Sequence, residues 1–202
     1  MNLIRTGVAA VMALGVLVAP MSSQTDMASL KCSGSAIAPV RLEVYSDFQC
    51  PMCRQFYVNT LRQVIAECVA TNKVYLIHHD FPLPMHQYAR EAARWADAAA
   101  RVHKYEKASD ALFEKQAEWS QTGKIEPVIA AILTPAELVK VKALVRSAEI
   151  EKSIDDDVAL GKMQKVSGTP TIYLQKGQNR YPITPGVSYA MLRRFIDDQA
   201  AR

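Results

Sequence analysis

The chain has 202 residues, half of them apolar and 22% charged, with 8 Gly, 10 Pro and 4 Cys. That suffices for one domain, or one domain carrying an inserted subdomain, around a hydrophobic core, and the apolar fraction excludes disorder. Four cysteines are too sparse for a disulfide scaffold, and 24 basic against 20 acidic residues leave +4, too small and dispersed a charge for a nucleic-acid surface.

The chain begins with one charged side chain, Arg5, followed by an uncharged run from Gly7 to Pro20 (GVAAVMALGVLVAP). The run falls short of the roughly twenty residues that span a bilayer. A basic start, a short apolar stretch and then the small polar residues Met21 to Thr25 predict a secretory signal peptide over residues 1–23. Cleavage near Ser23 or near Ala28 fits, and retention as a membrane anchor is the alternative. Export places the protein in the periplasm or another extracytoplasmic space, where disulfides are chemically permitted. Residues 24–39 make an N-terminal segment.

Val40 to Tyr45 (VRLEVY) alternates apolar and polar residues and predicts a strand. From Pro51 to Ala70 the period becomes helical, with Cys53, Tyr57, Leu61, Val64 and Cys68 on one face. Lys73 to His79 (KVYLIHH) is a second β-rich run, so strand, helix and strand form a βαβ unit with parallel strands. Helices follow over Gln87 to Val102 and Tyr105 to Trp119, broken at Gln121-Thr122-Gly123. Thr134, Pro135 and Glu137 fit the N-cap, N1 and N3 positions of a capping box, and Ala148 to Lys165 places Ile150, Ile154 and Val158 along one helix face. Thr169 to Leu174 and Tyr181 to Thr184 flank a Lys176–Asn179 turn as a hairpin, and Tyr189 to Gln199 closes the chain as a helix. A βαβ crossover needs only a short connection. The surplus therefore predicts an α/β core, residues 40–84 and 166–202, interrupted by a helical insertion, residues 85–165.

Cys50-Pro51-Met52-Cys53 directly follows the first strand. Pro51 takes the favoured first helical position, which makes Cys50 the N-cap. Its sulfur then faces the unpaired amides of the first turn, which together with the helix dipole favour the thiolate, the attacking species in disulfide exchange. Cys53 lies one turn later on the inward face, placed to resolve a mixed disulfide. Half of a zinc site would also show this spacing but needs a second ligand pair, which solitary Cys32 and Cys68 and the adjacent His78-His79 do not supply, so no metal is expected. A purely structural Cys50–Cys53 disulfide is the other alternative.

The stretch Val44-Tyr45-Ser46-Asp47-Phe48-Gln49-Cys50-Pro51-Met52-Cys53 resembles the active-site segment of DsbA-like thiol–disulfide oxidoreductases of the thioredoxin superfamily. Val166-Ser167-Gly168-Thr169-Pro170-Thr171 resembles that superfamily's cis-proline loop, and Asp80-Phe81-Pro82-Leu83 followed by His86 resembles its bacterial and archaeal branch. The likeness runs from about Val40 to Ala200 and implies an α/β thioredoxin fold with an inserted helical subdomain. It also implies a cis Thr169–Pro170 bond facing Cys50, with Thr169 and Pro170 receiving an extended substrate segment. The redox-active Cys50–Cys53 disulfide serves in place of a cofactor.

Two departures stand out. Many relatives carry a buried acidic residue six positions before the first cysteine; here that position is Val44, and Glu43 points to the opposite face of a regular strand. Asp47 is a candidate substitute or a solvated turn residue, and His86 reads as a capping or packing residue. The dipeptide between the cysteines is Pro-Met, without the histidine of strongly oxidising members, which predicts a less oxidising couple. Assigning Cys50 to Cys53 leaves Cys32–Cys68 as the only other pair, a candidate structural disulfide, with Cys68 as an inert core thiol the alternative.

Three functions from different classes fit. The first is an oxidase that passes its disulfide to exported proteins and is served by a membrane redox partner. The second is a reductase or isomerase kept reduced by such a partner, and the third is a non-catalytic binding module with a thioredoxin-like groove. A monomer is expected, without a nucleic-acid partner.

Overall fold

The computed structural model describes residues 26–201. The expected signal peptide lies outside the described residues. Within them, no helix is long and apolar enough to cross a membrane.

Five strands form one sheet in the order β1-β3-β2-β4-β5: β1 (Cys32–Ser33), β2 (Val40–Ser46), β3 (Val74–Asp80), β4 (Thr171–Lys176) and β5 (Asn179–Ile183). β2 and β3 are parallel, with Val44 opposite His78, as a helical crossover between them requires. The other pairings are antiparallel. β5 sits at an edge, where Pro182 costs no ladder hydrogen bond.

Period-two alternation separates the two faces of the sheet. Val40, Leu42 and Val44 of β2 lie beside Val74, Leu76 and His78 of β3 and join the main apolar core. The crossover helix α2 (residues 51–69) and the closing helix α9 (Tyr189–Ala200) share that core through Phe56, Leu61, Val64, Leu192 and Ile196. The five residues of the predicted α2 stripe, Cys53, Tyr57, Leu61, Val64 and Cys68, are all buried. The helix is less regular than the period predicts, since Tyr57–Leu61 and Ile65–Val69 are π-helical. The opposite sheet face carries Glu43, Tyr45, Tyr75, Ile77 and His79 and is covered by α8 (Ala148–Met163), whose Gly161 lies against Tyr45 and Phe81.

Between β3 and β4 run α3 (Ala89–Ala100), α4 (Tyr105–Glu114), α5 (Gln116–Trp119), α6 (Glu126–Ala130), α7 (Pro135–Leu144) and α8. The α7 capping box forms as expected: the Thr134 side chain accepts from the Glu137 amide, and the Glu137 carboxylate accepts from the Thr134 amide. The short elements α1 (Met27–Leu30), β1 and α6 have no counterpart in the sequence reading, being too brief to show a period.

A buried ion cluster ties the N-terminal segment to the rest. Lys31, 1% exposed, directs its Nζ to Asp80 of β3 (2.8 Å), Asp97 of α3 (3.3 Å) and Asp157 of α8 (2.5 Å), and to Ser153 Oγ (3.0 Å). Asp157 also pairs with His79 Nδ1 (2.8 Å) and accepts the Asp80 amide. Three elements, β3, α3 and α8, thus converge on the one ammonium group of the N-terminal segment. Three carboxylates around it hold Lys31 firmly charged despite the cost of burial.

Candidate functional site: a dithiol at a helix N-terminus

Cys50 caps α2 with an extended backbone (φ −71°, ψ 123°) and Pro51 occupies the first helical turn. The peptide bond between Thr169 and Pro170 is cis. The loop it belongs to brings the Thr169 carbonyl within 3.3 Å of the Cys50 Sγ, which donates to it as a thiol. Residues 119 apart in sequence therefore meet at one sulfur. β4 begins only at Thr171, two residues later than the alternation predicts, because Thr169 and Pro170 belong to this loop.

The two thiols are electrostatically opposite. Cys50 is lowered to about 5, first by the hydrogen bond from the Cys53 thiol and then by the Cys53 and Met52 amides and the Thr169 side chain, all acting against burial. The Cys50 side chain makes no full capping hydrogen bond, so the amides act as a field at the helix N-terminus rather than as a closed cap. Cys53 is pushed far up, chiefly by burial and then by the neighbouring Cys50 sulfur. It is 1% exposed, and its Sγ accepts the Asp47 amide at 3.5 Å. The arrangement gives one sulfur that ionises easily and a protonated neighbour that donates to it. Met52, between them, is half exposed.

For Asp47 the structure excludes one of the two readings the sequence leaves open. The residue is buried, not a solvated turn residue, and its carboxylate holds two loops together. It accepts the Gln49 amide (2.7 Å) and the Leu83 amide (2.8 Å) and pairs with His86 Nδ1 (2.7 Å). Burial pushes its carboxyl above the ordinary range. Val44 is buried in the core, and Glu43 lies on the other sheet face, 2.7 Å from Arg180, as the strand alternation requires.

The expected Cys32–Cys68 disulfide is corrected. All four cysteines are free thiols in the structure. Cys32 pairs with Ile77, on the sheet face covered by α8, where its Sγ donates to the Ala28 carbonyl (3.2 Å). Cys68 is fully buried in α2 on the other face, an apolar core thiol. The sheet stands between the two sulfurs. His78 and His79 likewise face opposite sides: His78 packs on Tyr105, and His79 stacks on Tyr45. Among the described residues no group of three or more His, Cys, Asp or Glu is arranged to hold a metal ion.

Sequence reasoning missed the residues by which the helical unit grips the dithiol segment. Gln116 of α5 donates to the carbonyls of Phe48 (2.7 Å) and Cys50 (3.1 Å). Gln49 reaches the Ser120 carbonyl (2.9 Å) and accepts the Tyr88 amide (2.6 Å), and Arg54 donates to the Phe113 carbonyl (2.9 Å). No local signal marks such contacts, which depend on how the helices dock.

A sheet with a βαβ unit and an antiparallel hairpin, a dithiol capping the crossover helix and a cis-proline loop against it together define a thioredoxin-type fold carrying a helical unit. The chain matches the family described as Thioredoxin over residues 25–198 and belongs to it. Its fold is that of the DsbA-like members. It is similar to the crystal structure of Wolbachia pipientis alpha-DsbA1 with a TM-score of 0.70, at 18% identity over 85% of this chain and 90% of that one. It is similar to Pseudomonas aeruginosa DsbA2 with a TM-score of 0.65, at 23% identity over 83% and 92%. In sequence it is 25% identical over 150 residues to a Bacillus cereus protein named "Probable disulfide bond formation protein D", covering 70% of this chain and 68% of the relative.

Proposed function

We propose that this chain is an extracytoplasmic protein-disulfide oxidoreductase that exchanges disulfides with exported proteins through Cys50 and Cys53. The observation that carries the reading is the asymmetry of the pair. Cys50, at the helix N-terminus beside the Thr169 carbonyl, is lowered to about 5, while buried Cys53 is held protonated. The name of the Bacillus cereus relative supports the same chemistry.

In this reading a substrate thiolate attacks the Cys50 sulfur of the oxidised protein, and the Cys50–Cys53 bond breaks with its electron pair leaving on Cys53, which takes up a proton. A second substrate thiolate then attacks the substrate sulfur of the mixed disulfide. The substrate leaves oxidised, and Cys50 departs as a thiolate, a good leaving group because of its low pKa. Thr169 and Pro170 receive the substrate strand. Return to the disulfide requires an electron acceptor, assigned to a membrane redox partner. Without a histidine between the cysteines, the couple is less oxidising than that of DsbA-like members that have one.

Cys53→Ala should trap Cys50 in mixed disulfides with scrambled, disulfide-containing ribonuclease, its thiolate attacking a ribonuclease disulfide and releasing a ribonuclease thiolate, resolvable by mass spectrometry, and Cys50→Ala should trap none. The oxidised protein should restore activity to reduced ribonuclease faster than the reduced protein, recycled by dithiothreitol, reduces insulin. Full exchange activity in Cys50→Ala would overturn the assignment. Insulin reduction without ribonuclease oxidation would reverse the direction.

A further inference from the structure

Gln116 opens α5 in the helical unit and is buried, yet its amide is aimed at the backbone of the dithiol segment 66 residues away. Its Nε2 donates to two carbonyls, Phe48 at 2.7 Å and Cys50 at 3.1 Å. Two acceptors on one nitrogen fix which end of the amide faces them, since only the NH2 group has two hydrogens to give. The Cys50 carbonyl also accepts the Arg54 amide at 3.1 Å, the first hydrogen bond of α2. The N-cap carbonyl therefore carries two donors, one from its own helix and one from the helical unit. The Phe48 carbonyl belongs to the turn closed by the Cys50 amide on the Asp47 carbonyl at 3.1 Å.

We propose that Gln116 is a positioning residue for the dithiol: it holds the Phe48 and Cys50 carbonyls away from the Cys50 sulfur and fixes the first turn of α2 so that its amides face that sulfur. The inference rests on the reading of Cys50 as the exchanging thiol. The physical reason is local. A carbonyl oxygen is the negative end of a peptide dipole, and the one belonging to Cys50 sits only a few bonds from the thiolate. A buried donor on that oxygen offsets its field where water does not screen it. The same bond sets the peptide plane on which the Met52 and Cys53 amides depend for their direction. The other ties to the helical unit end elsewhere: Gln49 on Ser120 and Tyr88, and Arg54 on Phe113. Gln116 thus makes the helical unit part of the electrostatics of the dithiol.

The test compares the reduced wild type with Gln116→Met, which keeps the length of the side chain and removes its donor. Thiolate absorbance at 240 nm is followed from pH 3 to 10, and the equilibrium with glutathione is measured at pH 7. The expected result is a rise of about 0.5 to 1 pH unit in the Cys50 midpoint. The glutathione equilibrium should move toward the protein disulfide by up to about tenfold, because the reduced form has lost stabilisation of its thiolate. A lowered melting temperature with an unmoved midpoint is what a merely structural glutamine would give, and it overturns the proposal. If Gln116→Met does not fold, Gln116→Glu is read in the same way. It has the same length, and its ionised carboxylate offers no donor, so its midpoint should rise further. A wild type with no thiol titrating near 5 would overturn the reading of Cys50 and this inference together. A low wild-type midpoint shared by the variants would overturn this inference alone.

Discussion

The largest single influence lowering Cys50 is the hydrogen bond from the Cys53 thiol, so removing that donor should move the titration most. Cys53→Ala deletes it, and Cys53→Ser keeps a hydroxyl in its place. A hydrogen bond to a charged group contributes roughly 1.5–3 kcal/mol, and 1.4 kcal/mol corresponds to about one pH unit. The Cys50 midpoint in Cys53→Ala should therefore rise by about 1 to 2 units from its value of about 5, while Cys53→Ser stays within about 0.5 unit of the wild type. The sign for stability follows from a folded-state pKa below the unfolded one. The thiolate's contribution to the reduced protein is fully present above the ordinary thiol value of about 8.5 and falls by about 1.4 kcal/mol per unit as the pH drops toward 5. The readouts are absorbance at 240 nm and the urea midpoint of the reduced protein between pH 5 and 9. An unchanged Cys50 midpoint in Cys53→Ala would show that the helix amides alone carry the shift, and would refute the assigned ranking of causes.

Lys31→Met should destabilise the fold by about 3–5 kcal/mol in urea unfolding, because it leaves Asp80, Asp97 and Asp157 buried around a missing cation; a loss below about 1 kcal/mol would contradict the clamp. Gly161→Ala places a Cβ 2.6 Å from Phe81 Cε2 and 3.3 Å from Tyr45 Cδ1, so overpacking should cost about 1–3 kcal/mol and lower the melting temperature. Once Cys50 and Cys53 are oxidised, thiol counting on the denatured protein should find Cys32 and Cys68 both free. A Cys32–Cys68 linked peptide in a proteolytic digest would contradict their placement on opposite faces of the sheet.

What was legible in the sequence is what depends on neighbours in the chain. Cys50 followed by Pro51 marks a helix start by itself, as Thr134, Pro135 and Glu137 do for α7, and the alternation of Val40 to Tyr45 already puts Val44 inside and Glu43 outside. The Gly-Thr-Pro segment before a strand was visible too, although only the folded chain brings Thr169 to the Cys50 sulfur. What the sequence left open or misplaced shares one cause. Asp47 looks solvated until Leu83 and His86 arrive from 36 and 39 residues downstream to cover and bond it. Pairing Cys32 with Cys68 by elimination ignored the side of the sheet each would occupy, and the face of Cys32 is set by a two-residue strand too short to show a period. Lys31 is of a type almost never buried, and only three carboxylates from β3, α3 and α8 make its burial tolerable.

The same division runs through the site. The helix N-terminus is a local device, and any N-cap cysteine gains something from it. The difference between the two thiols is not local, because Cys53 is held protonated by burial in a core assembled from the sheet, α2 and the helical unit. A Cys-Pro-Met-Cys peptide would have the spacing without that burial, and its two thiols would titrate much closer together. The separation of the two titrations, more than the motif, therefore distinguishes a folded exchange site from a pair of nearby cysteines.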